Sequence, residues 1–272
     1  MKKKMLYLRK TPIQSAFIIY LLALGLILFP SDWLGELFFK DEKMSYLFGL
    51  GAMRVIMGVI MAFIAVHTGF KQSLLPRSIK GILLSLPAIL VAVNNLPIIA
   101  LARGTASLVY GAEFIAVFAF ECLAVGFFEE VTFRGIVFPL VLQKTGTSVK
   151  GRLQAMIFSS AMFGFLHIVN LLNGFSGGVF LQMGYSFLIG AMLSVAMFQG
   201  AGAVTCAIIH GVYNFCGMLI SELGQGSFSD IWNVPEIILT AVVAVAVLVY
   251  CVVITVKSDS TVGDELIKIE EN

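Results

Sequence analysis

Long runs of apolar residues, each close to 20 residues in length, succeed one another from residue 13 to residue 256. A run of about 20 apolar residues is what an α-helix needs to cross the hydrocarbon core of a bilayer. The pattern therefore predicts an all-α, polytopic membrane helix bundle of about eight transmembrane helices. The predicted spans are residues 13–29, 45–66, 82–102, 111–142, 153–172, 178–198, 203–220 and 235–256.

Two of these spans depart from a simple helix. The fourth, 111–142, is too long to cross a bilayer at right angles, so it must tilt, kink or protrude. In the third, Pro87 removes a backbone donor, and we expect a kink there. No repeat, low-complexity segment or linker separates a second domain. Residues 1–272 are expected to form one integral membrane domain, with additional helices at 13–102 and 235–256 around a core at 111–217 and a solvated polar tail at 257–272.

The distribution of basic residues predicts how the bundle is oriented. Segments between spans that carry excess Lys and Arg stay on the cytoplasmic side. With both termini inside (N-in/C-in), the outer side holds three such residues, Lys40, Lys43 and Arg103. The inner side holds thirteen: Lys2, Lys3, Lys4, Arg9, Lys10, Lys71, Arg77, Lys80, Lys144, Lys150, Arg152, Lys257 and Lys268.

Composition agrees with a membrane protein and excludes several other classes. Apolar residues make up 59% of the chain and charged residues 12%, with a mean hydropathy of +0.96. This apolar composition makes the lipid bilayer the expected surrounding. The net charge of +2 gives no sign of nucleic-acid binding. The four cysteines show no Cys-x-x-Cys spacing and are interpreted as small core residues. The basic N-terminus before the first span lacks a small-x-small cleavage site, which favours an uncleaved first helix over a signal peptide.

The most unusual stretch is 126–135, Gly-Phe-Phe-Glu-Glu-Val-Thr-Phe-Arg-Gly, in the middle of the fourth span. Ionisable side chains at membrane depth are costly and mark functional sites by default. Glu130 and Arg134 stand four residues apart, the spacing of a same-face ion pair. Glu129 points about 100° away, which leaves it free to act as a general base. The structural alternative is a buried ion-pair network that only joins two helices.

Two histidines also lie within predicted spans. His167 ends the sequence Phe-Gly-Phe-Leu-His, and His210 and Asn214 stand four apart on one helix face. Either histidine alone would more often be a satisfied core residue. Together with a carboxylate pair they indicate a catalytic site. The third histidine, His67, is expected at the membrane interface.

Position along the helices tests whether these groups can meet. The distances from the inner helix ends are 14 residues from Gln143 to Glu129, 15 from Arg152 to His167 and eight from Gly202 to His210. These correspond to depths of roughly 21, 22 and 12 Å. Helix tilt can close this spread, so we expect one cavity that opens to the cytoplasmic side. Other polar residues, Arg54, Glu113, Glu121, Asn94 and Asn95, are interpreted as structural.

The three ordered motifs, Glu129-Glu130-x-x-x-Arg134, Phe163-x-x-x-His167 and His210-x-x-x-Asn214, resemble those of a known family. The chain is similar to the CPBP (CAAX protease and bacteriocin-processing, or Abi) family of intramembrane proteases, related to the CAAX prenyl endopeptidases. The resemblance covers roughly residues 111–217 and includes the Phe-Arg-Gly that follows the paired glutamates. Outside that region the spans carry no family motif.

The resemblance implies hydrolysis of a peptide bond in a peptide or membrane-anchored protein, at an integral membrane site in a bacterial cell membrane. Glu129 and His167 would activate the attacking water, and His210 and Asn214 would stabilise the oxyanion. This assignment agrees with the chemistry of a carboxylate base beside donors aimed at a developing negative charge.

The same resemblance implies supporting roles for Glu130, Arg134 and Phe163 in holding the geometry of the site. A zinc ion remains an alternative, because glutamate and histidine side chains are common zinc ligands. The ligands would then be Glu129, His167 and His210. We favour a metal-independent glutamate mechanism without a cofactor. The chain has no His-Glu-x-x-His, and an acid paired with Arg134 is a poor ligand.

Two other functions remain open. The scaffold could serve as a non-catalytic membrane partner, such as a bacteriocin-immunity protein or a sensor-kinase regulator. A small transporter with a proton relay is the third possibility, although the sequence shows no paired broken helices in two related halves.

Overall fold

A computed structural model describes residues 6–175, 177–226 and 234–268. Lys2, Lys3 and Lys4, used above for orientation, and the end of the tail at 269–272 lie outside these residues. The described residues form thirteen α-helices. They are α1 (Pro12–Ile27), α2 (Asp32–Glu36), α3 (Glu42–His67), α4 (Ile79–Leu83), α5 (Leu86–Asn94), α6 (Ile98–Arg103), α7 (Ala112–Thr132), α8 (Phe138–Thr145), α9 (Val149–Leu166), α10 (Gly177–Phe198), α11 (Gly202–Leu223), α12 (Val234–Lys257) and α13 (Ser260–Ile267).

Irregular helices and one small sheet complete the described fold. Phe133–Val137 is a π-helix between α7 and α8, and His167–Asn173 is a 3₁₀ helix after α9. Two further 3₁₀ turns cover Leu6–Arg9 and Lys71–Ser73. The strands β1 (Ser107–Leu108) and β2 (Gly224–Gln225) pair antiparallel, with Ser107 opposite Gln225.

The prediction of a polytopic helical membrane bundle is confirmed. Five described helices are long and apolar enough to cross a bilayer: Glu42–His67, Val149–Leu172, Gly177–Phe198, Gly202–Leu223 and Ile237–Lys257. The apolar helices Pro12–Ile27 and Ile79–Asn94 are shorter. The long helix that begins with α7 carries four glutamates, which sets it apart from the five.

The prediction of a single helix for the third span is wrong. The segment is divided into the three helices α4, α5 and α6. Pro87 cannot donate to the carbonyl of Leu83, the last residue of α4, and it lies in the first turn of α5, where its missing N–H costs nothing. Pro97 ends α5 in the same way and precedes α6. Proline therefore breaks this segment where a kink was expected.

The fourth span is continuous but changes its winding at Phe133–Val137. There the N–H of Phe138 donates to the carbonyl of Phe133, five residues earlier, as in a π-helix. Pro139 follows and has no N–H for the carbonyl of Gly135. The hydroxyl of Ser73 lies 2.8 Å from that carbonyl and 2.6 Å from the carbonyl of Phe70, so its one proton is shared between the two acceptors. Ser73 thus gives a polar contact to a buried carbonyl that Pro139 leaves without its usual backbone donor.

Glycines allow α11 to lie close to α7 beside the paired glutamates. A Cβ atom on Gly126 would come within 2.5 Å of the carbonyl oxygen of Ala207. A Cβ on Gly211 would come within 2.9 Å of the Cα of Leu123. Only glycine fits at these two positions, so the crossing brings His210, the neighbour of Gly211, to α7.

The C-terminal segment is not the solvated tail that the sequence suggested. Ser260–Ile267 form α13, which packs on α8 and leaves Leu266 only 1% exposed. The carboxylate of Asp259 accepts a hydrogen bond from the backbone N–H of Thr261 at 2.9 Å, which lowers the pKa of Asp259. The side-chain amide of Gln72 donates to the carbonyl of Leu266. An apolar contact and a hydrogen bond from a distant segment therefore hold this short helix against the bundle.

Candidate active site

Glu130 and Arg134 form a fully buried ion pair within one helical turn. Arg134 Nη1 donates to Glu130 Oε1 at 3.2 Å, and Arg134 Nε lies 3.1 Å from Oε2. The second contact is electrostatic and poorly aligned for a hydrogen bond. The two side chains are 0% and 2% exposed. A buried pair of this kind must be satisfied by further contacts.

Arg134 has those further contacts on two other helices. Its Nη2 donates to the carbonyl of Gly190 on α10 at 2.8 Å. Its guanidinium carbon lies 4.7 Å from the ring centroid of Phe163 on α9. A Cβ on Gly190 would lie 3.1 Å from Nη2, so glycine leaves room for this approach. Arg134 therefore connects the glutamate helix to both neighbours.

His210 lies between the two glutamates. Its Nδ1 is 3.0 Å from Glu130 Oε1, and its Nε2 is 3.8 Å from Glu129 Oε2. Since an ionised carboxylate can only accept, Nδ1 carries the proton of the shorter contact. The longer contact exceeds hydrogen-bond distance. Glu130 thus sets the orientation of the imidazole ring, and this orientation aims Nε2 at Glu129.

Glu129 differs from Glu130 in its surroundings. It is 7% exposed, and its Oε2 is buried without a hydrogen-bond partner among the described residues. Its nearest ion-pair contact is the 3.8 Å approach of His210. Arg134 pairs with Glu130 alone, as the 100° separation on the helix predicted. Glu129 is consequently the carboxylate with free capacity to accept a proton.

His167 and Phe163 lie next to this cluster. The His167 ring meets the Phe163 ring edge-on at 5.5 Å, and Phe163 meets His210 in the same manner at 5.6 Å. His167 Nδ1 is 3.2 Å from the carbonyl of Phe163, which can only accept, so Nδ1 carries a proton. The described contacts link His167 to the site through Phe163, with no direct bond to Glu129.

Asn214 lies one turn beyond His210 on α11 and is half-buried. Its side chain makes no hydrogen bond within the described ranges. The structure therefore brings Glu129, Glu130, Arg134, Phe163 and His210 into contact. His167 and Asn214 are placed at the margin of the cluster.

Sequence reasoning missed two features of this site. The first is the π-helix at Phe133–Val137, which contains Arg134; Pro139 was the signal that the helix could not stay regular there. The second is the carbonyl of Gly190, which binds Arg134. No pattern in the sequence marks a backbone acceptor on another helix. Across 6–175, 177–226 and 234–268, no three His, Cys, Asp or Glu side chains are grouped as metal ligands would be.

An apolar groove of about 690 Å³ lies on the side of the bundle formed by α1, α8 and α9. It runs between α1 and α9 along α8, and its lining includes Tyr20, Lys144 and Phe165. Ile168, which follows His167 in the chain, lines it as well. The groove is thus lined by the residue next to His167 in the chain, while the candidate site residues themselves do not line it.

A helical membrane protein with a buried glutamate–arginine–histidine cluster is the class that fold and site define. Residues 111–216 match the family described as type II CAAX prenyl endopeptidase Rce1-like. The match covers less than half of the 272 residues, and it supports the CPBP and CAAX protease family that the motifs of this segment predicted. The match supports a peptidase of the CAAX endopeptidase type. No curated protein and no solved structure shows significant similarity to the chain.

Proposed function

We propose that the protein is an intramembrane endopeptidase that hydrolyses a peptide bond in a membrane-anchored or amphipathic substrate, with Glu129 as the base that activates water. The observation that carries this proposal is the arrangement of His210. Its ring is bound to Glu130 at 3.0 Å and points its other nitrogen at Glu129, 3.8 Å away. A single oxygen atom can contact both Glu129 and His210 at that separation.

The reaction would proceed by general base catalysis. The water oxygen attacks the scissile carbonyl carbon, and its proton passes to Glu129. Nε2 of His167, an acceptor in the neutral tautomer, orients the same water. When the C–N bond breaks, Glu129 returns the proton to the departing amide nitrogen. The carboxylate is thereby regenerated and no other reactant is consumed.

The negative charge on the carbonyl oxygen would be stabilised from α11. His210, flanked by two carboxylates, acts as an imidazolium whose Nε2–H donates to the oxyanion, and the amide of Asn214 is the second donor. Glu130 and Arg134 contribute indirectly by holding His210 in place. Phe163 fills the space between the two histidines.

We propose that this chemistry proceeds without a metal ion. Both oxygens of Glu130 are engaged by Arg134 and His210, so this residue is not available as a ligand. Two tetrahedral ligands at about 2.0 Å from zinc would lie roughly 3.3 Å apart. Glu129 Oε2 and His210 Nε2 are farther apart, at 3.8 Å. The guanidinium of Arg134 further opposes a divalent cation beside Glu130.

The proposal includes a topology of eight crossings with both termini in the cytoplasm of a bacterial cell, and a site that opens to the cytoplasmic side. Five crossings are the long apolar helices. The shorter helix Pro12–Ile27, the broken segment from α4 to α6 and the α7–α8 helix supply the other three. Reporter fusions after each crossing measure the topology directly. A reporter active outside the cell when fused after residue 145 contradicts it.

The activity is tested with purified protein in liposomes and a set of amphipathic peptides of about 20 residues. Mass spectrometry identifies any cleaved bond. We expect Glu129→Gln to lower turnover at least about 100-fold and His167→Ala to do the same. Glu113→Gln is the matched control: Glu113 is exposed on the same helix, so we expect its variant to keep full activity. If Glu129→Gln retains turnover, the assignment of the base is wrong. If neither Glu129→Gln nor His167→Ala changes the cellular phenotype, the non-catalytic partner is the better explanation.

A further inference from the structure

The apolar groove between α1 and α9 is a feature that the proposed reaction does not use. Its volume is about 690 Å³, within the range of cavities that hold one small ligand. Ala16 and Val141, each 1% exposed, line its base. Its walls are large apolar side chains that are about half exposed: Ile13, Phe17, Phe158, Phe165 and Ile168. The groove is therefore open to the hydrocarbon of the bilayer.

The packing of the helices explains why the groove exists. α1 and α9 each pack along α8, but they have little contact with each other. Ala16 on α1 and Ala161 on α9 line the space between them, and their methyl groups are too short to fill it. Water is a poor occupant of an apolar space, because it finds no polar partners there. The groove is therefore suited to a hydrocarbon chain.

The length of the groove distinguishes between apolar occupants. Its lining extends along α1 from Ile13 to Tyr20 and along α9 and the following 3₁₀ helix from Phe158 to Ile168. At 1.5 Å per residue, these separations correspond to about 10 and 15 Å. One leaflet contributes about 15 Å of hydrocarbon, whereas a transmembrane helix crosses about 30 Å. The groove therefore matches the acyl chain of a lipid in one leaflet and is too short for a membrane-spanning peptide helix.

One end of the groove is positively charged. Lys144 lines the groove and is exposed, and α8 ends at the next residue, Thr145. Within the described ranges, the ammonium group of Lys144 makes no ion pair. The phosphate of a lipid whose chain occupies the groove would lie at this end of the helix. Lys144 is therefore placed to bind it.

A pair of reciprocal hydrogen bonds brings a second lysine to the same end. Arg9 Nε donates to Gln143 Oε1 at 3.0 Å, and Gln143 Nε2 donates to the carbonyl of Arg9 at 2.9 Å. The residues that follow this pair are Lys10 and Lys144, so both lysines lie where α1 begins and α8 ends. Arg9 itself is 5% exposed and is held by the protein. Lys10 lies 5.6 Å from the Tyr7 ring, a contact that leaves its charge available.

We propose that the groove binds a phospholipid with an anionic headgroup, whose acyl chain lies between α1 and α9 and whose phosphate is bound by Lys144 and Lys10. Basic residues at the end of a pocket between membrane helices are an arrangement that binds anionic headgroups. The lipid contacts both α1 and α9, so it also holds the first helix against the bundle. This inference does not depend on the proposed proteolysis.

The binding test uses a tryptophan placed in the groove. Phe158→Trp, in a chain without the two native tryptophans, is reconstituted in dioleoyl-phosphatidylcholine nanodiscs. Increasing amounts of brominated phosphatidylglycerol or brominated phosphatidylcholine are added, since bromine on an acyl chain quenches a tryptophan ring on contact. Ile208→Trp on α11 is the matched reporter outside the groove, because Ile208 and Phe158 are each 55% exposed.

We expect the groove reporter to bind phosphatidylglycerol about 25-fold more tightly than phosphatidylcholine. Each lysine near the membrane surface contributes roughly a fivefold preference for an anionic lipid. Lys144→Gln lowers the preference about fivefold, and Lys144→Arg keeps it. Lys80→Gln, at an exposed lysine on α4 that does not line the groove, also keeps it. Ala161→Phe fills the groove and reduces quenching by both lipids.

Three results overturn the inference. The first is equal quenching of the groove reporter by the two lipids, and the second is an equal preference for phosphatidylglycerol at Ile208→Trp. The third is displacement of the brominated lipid by an amphipathic substrate peptide but not by unlabelled phosphatidylglycerol, which would assign the groove to the substrate. The lysine variants change exposed side chains, so the test does not require Ala161→Phe to fold.

Thermal unfolding in detergent tests the effect of the lipid on α1. A ligand that binds the folded state raises the unfolding temperature. Added phosphatidylglycerol should therefore raise it more in the wild type than in Lys144→Gln, and phosphatidylcholine should raise it less in both. An equal rise with phosphatidylglycerol in the two proteins overturns the role of Lys144 in binding the headgroup.

Discussion

Nδ1 of His210 contacts Oε1 of Glu130 at 3.0 Å, while Nε2 of the same ring lies 3.8 Å from Oε2 of Glu129, beyond hydrogen-bond distance. The acid that orients the histidine is therefore the one already paired with Arg134. Glu129, the acid without an ion-pair partner of its own, is therefore the one that lies beside Nε2 of His210. Two adjacent residues on one helix thus acquire separate roles, because their side chains leave the helix about 100° apart.

Glu130→Gln should be the most destabilising conservative change in this cluster. Glutamine keeps the size of the side chain but leaves the guanidinium of Arg134 buried without a counter-charge. Removal of one partner of a buried pair costs about 3–5 kcal/mol. Unfolding in a mixed-micelle denaturant titration measures the loss in the free energy of unfolding. Glu113→Gln, an exposed change on the same helix, should leave it unaltered. Equal stability of the two variants would contradict the role assigned to the pair.

Gly190→Ala should disturb the site without changing any polar side chain. The added methyl group would lie 3.1 Å from Arg134 Nη2 and 3.2 Å from a ring carbon of Phe163, closer than these atoms tolerate without moving. We expect a loss of about 1–3 kcal/mol in stability, as for other overpacked cores, together with reduced turnover.

Gly184→Ala is the control for this change. It lies on the same helix, and nothing within 4 Å would meet its Cβ. Its stability should equal or slightly exceed that of the wild type, since alanine favours a helix more than glycine does. A similar loss in both variants would show that helix flexibility, rather than contact with Arg134, sets the requirement at Gly190.

The sequence predicted the parts of this protein that depend on local periodicity. Run length predicted the long helices, and the four-residue spacing of Glu130 and Arg134 predicted their pair. The contact between His210 and Glu130 could not be derived in this way, because it depends on the close crossing at Gly126 and Gly211. Such a crossing arises from the packing of two distant segments, and spacing along one helix carries no information about it.

The breaks in the third span and the irregular turn in the fourth have local causes, which are visible in the sequence as prolines. Pro87 and Pro97 divide the third span, since each removes the donor that the preceding turn would need. Pro139 marks the place where the fourth span becomes irregular. The position of α13 was missed for a different reason. Its docking depends on Leu266 and Ile267, which pack on the core, and on the hydrogen bond from Gln72, contacts with distant segments that the local pattern does not show.

Ser73 and Pro139 are expected to be coupled energetically through the carbonyl of Gly135. Ser73→Ala removes the hydroxyl that this buried carbonyl shares with the carbonyl of Phe70 and should cost about 1–2 kcal/mol of stability. In a Pro139→Ala background, the new backbone N–H can serve the same carbonyl, so Ser73→Ala should cost less. A double-mutant cycle on the free energy of unfolding measures the difference. Ser221→Ala, at an exposed serine, is the control. Equal costs in both backgrounds would contradict the coupling.

Treatment with a chelator distinguishes the zinc-dependent mechanism from the metal-independent glutamate mechanism, which would use the same residues. If Glu129, His167 and His210 held zinc, purified protein would contain about one metal ion per chain, lose activity to chelators and recover it on addition of zinc. We expect chelators to leave turnover unchanged, because His210 is already bound to Glu130 and the guanidinium of Arg134 opposes a divalent cation beside this pair. The separation of 3.8 Å between Glu129 and His210 is also longer than a shared zinc ion would impose. Metal analysis of active protein and a chelator titration with zinc add-back provide the measurement. Loss of activity that zinc restores, with the metal bound in proportion to activity, would make the enzyme a metalloprotease and would assign Glu129 as a ligand.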